Sequence, residues 1–195
     1  MELHIDGPGP AGRDPADDAE LLRLQDFVNT NDIEGGADEL DTPEQLRAWL
    51  LERQLIPARA PVDTDAHRRA IAVREGLRAL GRASNGEPVD VDRLDALNRA
   101  AAGLPVVIAA QPGNWRLRPA VTGVDGFLAG LMAALARSMA DGSWGRVKSC
   151  RSDTCRWLFI DHSRNRSGTW CSMAGCGSRM KARAYRARQR EAATA

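Results

Sequence analysis

The sequence has no apolar run that approaches the roughly 18 residues needed to span a membrane as a helix. Its first twenty residues are acidic and rich in glycine and proline, so they lack the apolar centre of a signal peptide. We therefore expect a cytoplasmic protein without a membrane partner. The hydrophobic fraction of 43% is typical of a globular chain rather than a disordered one.

The sequence also lacks the catalytic motifs of common enzymes. His67 stands alone on the polar face of a predicted helix, and no serine or cysteine nucleophile motif accompanies it. The segment "GGADEL" does not follow a predicted strand, so it does not form a nucleotide-binding loop. We predict that the protein is not an enzyme.

Cysteine is scarce, and all four cysteines fall within a window of 27 residues. They form two pairs, "CRSDTC" and "CSMAGC", each with four residues between its members. Disulfides are rare in a reducing compartment, where grouped thiolates more often bind Zn²⁺ in a closed tetrahedral site. Ordinary buried thiols or two disulfides are the alternatives. We predict one structural zinc ion, held by Cys150, Cys155, Cys171 and Cys176.

The residues around the cysteines supply too few apolar side chains for a core of their own, so zinc binding would contribute much of their folding free energy. "RWLFIDHS" predicts a strand and "TWCS" its return strand, with the first cysteine pair ahead of this hairpin. The chain is predicted to be helical from Met173 onward, which places Cys176 in the first turn of a helix. We expect a treble-clef-like arrangement, with His162 in the hairpin facing solvent or phosphate.

Positive charge is concentrated near one end of the chain. Residues 146–190, which we call the basic segment, contain twelve basic and two acidic residues, a net charge of +10. The rest of the chain contains 15 basic and 24 acidic residues, a net charge of −9. Such an asymmetry indicates a polyanionic partner for the basic segment.

The predicted helix of the basic segment carries a stripe of arginines at spacings of three and four residues. Arginine suits phosphate because its planar guanidinium donates two parallel hydrogen bonds. Met180, Ala184 and Ala187 lie on a neighbouring strip that we expect to pack on the hairpin. We predict DNA as the partner, contacted by Arg164, Arg166, Ser178, Arg179, Lys181, Arg183, Arg186 and Arg188.

Other interpretations of the basic segment remain open. The helix could simply be a solvated surface, because runs of charge often do no more than face water. RNA is another nucleic acid that it could bind, with Trp157, Trp170 and Tyr185 stacking on bases. A redox switch, in which oxidation of the cysteines releases the zinc, and a protein-interaction adaptor without nucleic acid are rival functions.

The rest of the sequence predicts a mostly helical domain over residues 17–141, preceded by a disordered leader over residues 1–16. The first of five predicted helices has Asp17 or Asp18 near its N-cap. The second begins with a clear signal, "DTPEQ", in which the threonine caps the helix, proline takes the first position and glutamine completes a capping box.

A β-hairpin is predicted between the fourth and fifth helices. "PVVIAA" is a short β-branched run, "NWRLRPAV" alternates apolar and polar residues, and "QPGN" between them is typical of a type II turn. The chain is therefore expected to be α+β, with a mostly helical first domain and a small zinc-binding module that ends in a basic helix.

A small-molecule effector is a further hypothesis for the acidic domain. Asn29 and Thr30 lie at a helix end in "VNTND", and Arg74 with Glu75 lies on a helix that otherwise faces the core. Helix capping by the first two residues and an exposed ion pair between the last two are the alternative interpretations. We predict Asn29, Thr30 and Arg74 as candidate effector-binding residues; the pattern indicates neither the effector nor an oligomeric state.

The basic segment as a whole resembles a known family. "RVKSCRSDTCRWLFIDHSRNRSGTWCSMAGCGSRMKARAYRAR" is similar to the CGNR-type zinc finger of bacterial transcription regulators. Upstream, "DFVNT", "LRAWLLERQL", "AVREGLRAL" and the hairpin around Trp115 resemble the ABATE domain that precedes that finger. The resemblance implies a DNA-binding regulator linked to stress or to a metabolite.

The sequence departs from that family's pattern at two places. Ser178 stands in "CGSR" where the family has asparagine, and Gly168 and Thr169 stand in "RSGTW" where the family usually has two arginines. Neither departure changes a cysteine, so the zinc prediction is unaffected. Both are expected to alter contacts with DNA.

Overall fold

The computed structural model describes residues 15–111 and 114–194, so residues 1–14 of the expected leader and the turn at 112–113 lie outside the described part. The helices are α1 (Pro15–Val28), α2 (Pro43–Glu52), α3 (Thr64–Ser84), α4 (Val91–Ala101), α5 (Gly123–Ala140) and α6 (Ser178–Thr194). The strands are β1 (Asn31–Asp32), β2 (Ala37–Asp38), β3 (Val106–Gln111), β4 (Asn114–Pro119), β5 (Val147–Ser149) and β6 (Leu158–Ile160). The fold class is α+β, as predicted.

Helix α1 begins at Pro15, so Asp17 and Asp18 lie in its first turn, near the N-cap as predicted, and the last two residues assigned to the leader are helical. Proline is favourable at the first position of a helix because its φ is already near the helical value and it lacks an N–H group that would need a partner. Helix α1 then buries Leu21 and Leu24 against the core.

Local capping chemistry positions the next helices. The N–H of Gln45 donates to Oγ1 of Thr42 at 3.2 Å, and the N–H of Thr42 donates to Oε1 of Gln45 at 2.9 Å, which confirms the predicted capping box. Asp63 caps α3 by accepting from the N–H of Ala66 at 2.7 Å. These bonds satisfy N–H groups that would otherwise be unpaired at the helix starts.

Helices α1, α2 and α5 meet at an aromatic cluster in the core. The ring centroids of Phe27 and Phe127 lie 5.2 Å apart, and Trp49 lies 5.9 Å from the first ring and 6.0 Å from the second. Their tilted and edge-on arrangement is the one that aromatic pairs favour. Among the described residues, no helix is both long and apolar enough for a bilayer span.

The predicted β3–β4 hairpin is confirmed, with an antiparallel register that runs from Val106 opposite Pro119 to Gln111 opposite Asn114. A second, very short hairpin, β1–β2, has no counterpart in the sequence prediction. Two-residue strands are too short to show a period, and this hairpin is shaped instead by Asp32. Its Oδ1 accepts the N–H groups of Glu34 and Gly35 at 3.1 and 3.0 Å.

The basic segment is built into the same core as the helices. Val147 of β5 and Leu158 of β6 are almost completely buried in one apolar cluster with Leu77 of α3. Helix α3 approaches these strands at Gly81, where a Cβ atom would lie only 2.3 Å from Cδ1 of Leu158. The close approach therefore needs a residue without a side chain.

The predicted pairing of "RWLFIDHS" with "TWCS" is wrong. Strand β6 pairs with β5, which precedes the first cysteine pair, so that pair lies inside the hairpin rather than ahead of it. After β6 the chain leaves the hairpin, because the side chain of Lys148 holds the residues that follow. Its Nζ donates to Oδ2 of Asp161 at 2.8 Å and to the carbonyl of Gly168 at 3.0 Å. Residues 161–169 consequently form a loop instead of a strand.

Candidate metal centre and nucleic-acid interface

The four cysteines converge on one point. Their Sγ atoms all lie within 4.8 Å of one another, with 3.6 Å between Cys155 and Cys171 and 3.7 Å between Cys171 and Cys176. A tetrahedral zinc with Zn–S bonds of about 2.3 Å has S···S edges of about 3.8 Å. All four thiols are free, so the two-disulfide interpretation does not describe this structure. The donor set and its spacing fit one zinc ion.

Two turns of the backbone position the thiols. Cys150 and Cys155 lie in the connection between β5 and β6, where the N–H of Cys150 donates to the carbonyl of Trp157 at 2.8 Å. Cys176 lies in a single helical turn, Met173–Gly177, which leads directly into α6, so the prediction of a helical first turn around it is confirmed. Ser172 closes that turn by accepting from the N–H of Gly175 at 3.2 Å.

Electrostatics in the cluster favour a bound cation. Three of the cysteines are buried, and Cys171 is half-buried. A hydrogen bond from Cys155 lowers the pKa of the Cys150 thiol to about 5. Burial, together with the charge of Cys150, raises the pKa of Cys171 to about 12. Four thiolates therefore cannot form side by side without a metal ion to offset their charge.

A guanidinium group lies against the metal cluster. Nη2 of Arg179 donates to Sγ of Cys176 at 3.2 Å. Arg179 is in the first turn of α6, so the helix and the cysteine cluster are joined by this contact. A cation at this distance also offsets part of the negative charge that four thiolates would bring.

Comparison with protein families assigns both parts of the chain. Residues 23–142 match the ABATE model, described as "Putative stress-induced transcription regulator", over more than half of the chain. The chain belongs to the ABATE family. Residues 146–189 match the CGNR zinc finger, which confirms the resemblance inferred from the motifs. A search of curated proteins finds no significant match.

The matches and the geometry together describe a zinc-finger member of a transcription-regulator family. The ABATE domain occupies the helical part with its hairpins, and the CGNR finger carries the cysteine cluster that could hold one zinc ion. His162 is exposed and lies outside the cluster, as expected.

A buried ion pair shapes the loop that follows β6 in the finger. The side chains of Lys148 and Asp161 are only 7% and 3% exposed. Burial alone would raise the pKa of Asp161, but hydrogen bonds from Lys148, Ser163 and the N–H of Gly168 outweigh it and hold the pKa well below its usual value. The ionised pair therefore fixes the loop on which Arg164 and Arg166 are exposed.

Gly168, one of the departures from the family pattern, is required by this loop. Its N–H donates to Oδ2 of Asp161 at 2.7 Å, and a Cβ atom on it would lie 2.7–3.0 Å from the carboxylate atoms of Asp161. An arginine at this position would have to displace a buried carboxylate. Gly168 therefore has a packing role in the loop, and its effect on contacts with DNA stays a prediction.

The remaining DNA-binding candidates lie on α6. Met180 is half-buried, but the described side chains of residues 181–190 are all exposed, so the expected packing of Ala184 and Ala187 on the hairpin is wrong. Ser178 begins the helix, and its Oγ donates to the carbonyl of Met173 at 2.8 Å. The stripe of basic side chains, at spacings i, i+4, i+7 and i+11, consists of Arg179, Arg183, Arg186 and Arg190, and the further candidates Lys181 and Arg188 are exposed on the other side of the helix.

Two of the three aromatic residues suggested for base stacking are on the surface. Trp157 is 40% and Tyr185 is 57% exposed. Trp170 instead packs against the cysteine cluster. It is therefore part of the finger's small core, whereas the other two remain free to contact a partner.

The side chains of the candidate effector residues form hydrogen bonds within the protein. Asn29 pairs with the backbone of Leu158 in the finger, donating through Nδ2 at 2.9 Å and accepting through Oδ1 at 2.7 Å. Oγ1 of Thr30 donates to the carbonyl of Phe27 at 2.8 Å. Arg74 is 2% exposed and donates to both carboxylate oxygens of Asp38 at 2.7 Å. The alternative, an ion pair between Arg74 and Glu75, does form, with Nε and Oε1 2.9 Å apart, but it is buried rather than exposed.

Sequence reasoning missed a set of contacts between α3 and the finger. Arg78 is buried and donates to the carbonyl of Val28 at 2.7 Å and to that of Arg156 at 3.0 Å. Nδ2 of Asn85 donates to the carbonyls of Ser149 at 2.8 Å and Thr169 at 3.0 Å. The only local signal was the placement of charged side chains on a helix face that otherwise points to the core.

Proposed function

We propose that the protein is a DNA-binding transcription regulator and not an enzyme, in which the finger over residues 146–190 binds DNA and the domain over residues 17–141 senses a small molecule. The observation that carries the proposal is the exposed basic face of α6. A helix that projects its side chains into solvent contributes little to the core, so a role outside the chain is the better explanation.

The concentration of positive charge on α6 favours a polyanionic partner. Residues 178–190 contain six basic residues and no acidic one. Like charges three or four residues apart destabilise a helix, and a helix of this length is only marginally stable without packing. Phosphates on one side of the helix would remove that repulsion. Binding DNA would therefore stabilise α6 as well as supply affinity.

Division of roles among the basic residues follows from nucleic-acid chemistry. Contacts to phosphate set affinity and register, and contacts to base edges set sequence preference. Arg164 and Arg166 on the finger loop are exposed and suit phosphate contacts. Base contacts would come from α6 if it enters a major groove, where Arg183 and Lys181 can reach guanine.

Salt dependence of DNA binding tests this proposal. Each phosphate contact releases condensed counterions, so log K should fall with log salt concentration by about 0.9 per contact. We expect Arg183→Ala and Arg186→Ala each to weaken binding and to flatten that slope by about one contact, measured by fluorescence anisotropy. Arg59→Ala, an exposed arginine far from the finger in sequence, is the control. Unchanged affinity and slope in both helix variants, with zinc content intact, would make the protein-interaction adaptor the better explanation.

In this proposal the effector binds a groove of the ABATE domain rather than Asn29, Thr30 and Arg74. The groove has a volume of about 590 Å³ and lies between α1, the α2–α3 connection, β4 and α5. That volume is in the range of small-molecule pockets, roughly 300–1,000 Å³. Gly130 of α5 belongs to its wall, and a Cβ atom there would meet only Cγ of Pro119, at an ordinary contact distance of 3.6 Å.

The lining of the groove suggests the chemical class of the effector. Ile56 and Phe127 provide apolar surface, and Arg23 and Arg118 are exposed cations. An apolar molecule with one carboxylate would match both features. Gln54, which also belongs to the lining, has a positive φ of 55° that glycine would adopt at lower cost. Such residues are often retained at binding sites despite their strain.

Calorimetry with decanoate as the probe and decanol as its uncharged control tests the groove. We expect one decanoate per chain, no comparable binding of decanol, and loss of decanoate binding in Gly130→Leu, whose side chain would fill the groove. Arg118→Gln should weaken binding about tenfold, the loss of roughly one charge-assisted hydrogen bond. Decanoate binding that is the same in Gly130→Leu would exclude this location.

A redox switch is the second candidate function, favoured by one observation. Cys171 is the one cysteine of the cluster that is not buried. An accessible zinc-bound thiolate is the first target of a peroxide, which would take it to a sulfenic acid. Zinc release by dilute peroxide, followed with a chromogenic chelator and reversed by a thiol reductant, would support this function.

A further inference from the structure

An ion pair links the ABATE domain to the first turn of the basic helix. The guanidinium of Arg179 faces the carboxylate of Glu34, with Nη2 and Oε2 2.9 Å apart and a second contact between Nη1 and Oε1. The two residues are 145 positions apart in sequence. Their side chains are 50% and 42% exposed, so solvent and ions reach the pair.

The ABATE fold holds Glu34 in place for this contact. Glu34 lies in the turn between β1 and β2, and its N–H donates to Oδ1 of Asp32 at 3.1 Å. The N–H of Gly36 donates to the carbonyl of Asp32 at 2.8 Å. At the other end of the turn, Asp38 is bound through both oxygens to the buried Arg74. The carboxylate of Glu34 is thus presented by a hydrogen-bonded turn that is connected through Asp38 to Arg74 of α3.

Arg179 has the chemistry of a phosphate-binding residue. It stands at the start of α6, within the exposed basic stripe and next to Cys176 of the metal cluster. A carboxylate and a phosphate both offer two oxygen acceptors to the planar guanidinium. Because the same nitrogen atoms cannot serve both acceptors fully, Glu34 and DNA would compete for Arg179.

We propose that Glu34 is an intramolecular competitor of DNA, which occupies Arg179 in the free protein and must be displaced when α6 binds. This inference rests on the proposed DNA-binding function. A half-exposed ion pair is weak, so DNA phosphate can displace it. A shift of the β1–β2 turn would free Arg179 and raise DNA affinity, which gives the ABATE domain a direct means of control over the finger.

The experiment compares two single-charge variants of the same segment. Glu34→Gln removes the competing carboxylate and keeps the shape of the side chain. Glu39→Gln removes a charge from an exposed glutamate five residues later. We expect Glu34→Gln to bind DNA about two- to fivefold more tightly than wild type at low salt, corresponding to the roughly 0.5–1 kcal/mol of an exposed ion pair. Glu39→Gln should bind within a factor of about 1.5 of wild type, because its charge does not face Arg179.

Two further measurements identify the mechanism. The gain from Glu34→Gln should shrink toward none as salt rises, because ions screen an exposed pair. It should also vanish in the Arg179→Ala background, where no guanidinium is left to release. Zinc content and circular dichroism of each variant confirm that the fold is unchanged.

The outcomes separate this inference from the proposed function. Equal affinities of Glu34→Gln and Glu39→Gln, a gain that persists without Arg179, or weaker binding by Glu34→Gln would each overturn the competitor role. The last result would mean that Glu34 positions α6 for DNA instead. Absence of DNA binding in wild type and in every variant would refute the proposed function itself.

Discussion

Replacing Gly81 by alanine tests the packing between α3 and the finger. In a helix interior, alanine is more favourable than glycine by about 1 kcal/mol, so the local effect alone would stabilise the protein. The new Cβ, however, would lie 2.3 Å from Cδ1 of Leu158 and 3.2 Å from the backbone nitrogen of Ser149. Leu158 is 1% exposed and enclosed by the core, and the backbone nitrogen cannot rotate away.

The clash should outweigh the gain in helix propensity. Overpacking of a core typically costs about 1–3 kcal/mol, and a clash with both a buried side chain and a backbone atom falls in the upper half of that range. After the gain of about 1 kcal/mol in helix propensity, we expect Gly81→Ala to lose about 1–2 kcal/mol of unfolding free energy in total. For a chain of this size that corresponds to a fall of about 2–8 °C in Tm, measured by circular dichroism with zinc present.

Gly130→Ala is the matched control for this substitution. Gly130 also lies inside a helix, but a Cβ there would be 3.6 Å from Cγ of Pro119, an ordinary contact distance. The propensity gain should therefore remain, and we expect a rise of about 0.5–1 kcal/mol in unfolding free energy. If Gly81→Ala were as stable as Gly130→Ala, the close approach of α3 to the finger would be refuted.

Three other perturbations have defined outcomes. Cys171→Ser should bring zinc below one ion per chain in metal analysis, because a closed site needs all four thiolates; a full zinc load would exclude the Cys₄ set. Asp161→Asn should be less stable than wild type at pH 7 in urea unfolding. Because the folded pKa of Asp161 lies below the unfolded value of about 3.9, that difference should shrink as pH falls below about 4; a constant difference would contradict the ionised pair. Asn29→Ala should cost about 1–3 kcal/mol, since it leaves the backbone of Leu158 without its two hydrogen bonds; a loss below about 0.3 kcal/mol would mean that water replaces them.

The features that were predictable from the sequence depend on neighbouring residues. The capping box at Thr42 and the β3–β4 hairpin are encoded within a few positions, and the structure confirms both. The cysteine cluster was predictable because all four ligands lie in one short window. Local chemistry of this kind needs no knowledge of the fold.

The features that were missed depend on contacts between distant residues. Asn29 meets Leu158 across 129 positions, and Arg78 meets Arg156 across 78, so no local pattern encodes them. The incorrect return strand has the same origin, because the pairing of β5 with β6 depends on how Lys148 holds Asp161. Polar side chains on the core-facing side of α3 suggested a ligand-binding site. Side chains of this kind instead form hydrogen bonds between the helical domain and the finger.

The exposure of α6 was missed for an energetic reason. Ala184 and Ala187 predicted an apolar face, but each methyl group buries too little area to hold a helix against the body. The repulsion among the arginines around them opposes any such packing. Counting apolar positions without their size led to the wrong prediction.

The dependence of DNA binding on zinc is tested by measuring DNA affinity of the intact chain before and after removal of the metal. We predict tight, salt-dependent binding with one zinc per chain, a fall of more than about tenfold in affinity after chelation, and recovery when zinc is restored, because the metal holds the turn from which α6 begins. Metal analysis of the same samples confirms each state. DNA affinity that is unchanged after complete removal of zinc would contradict this prediction.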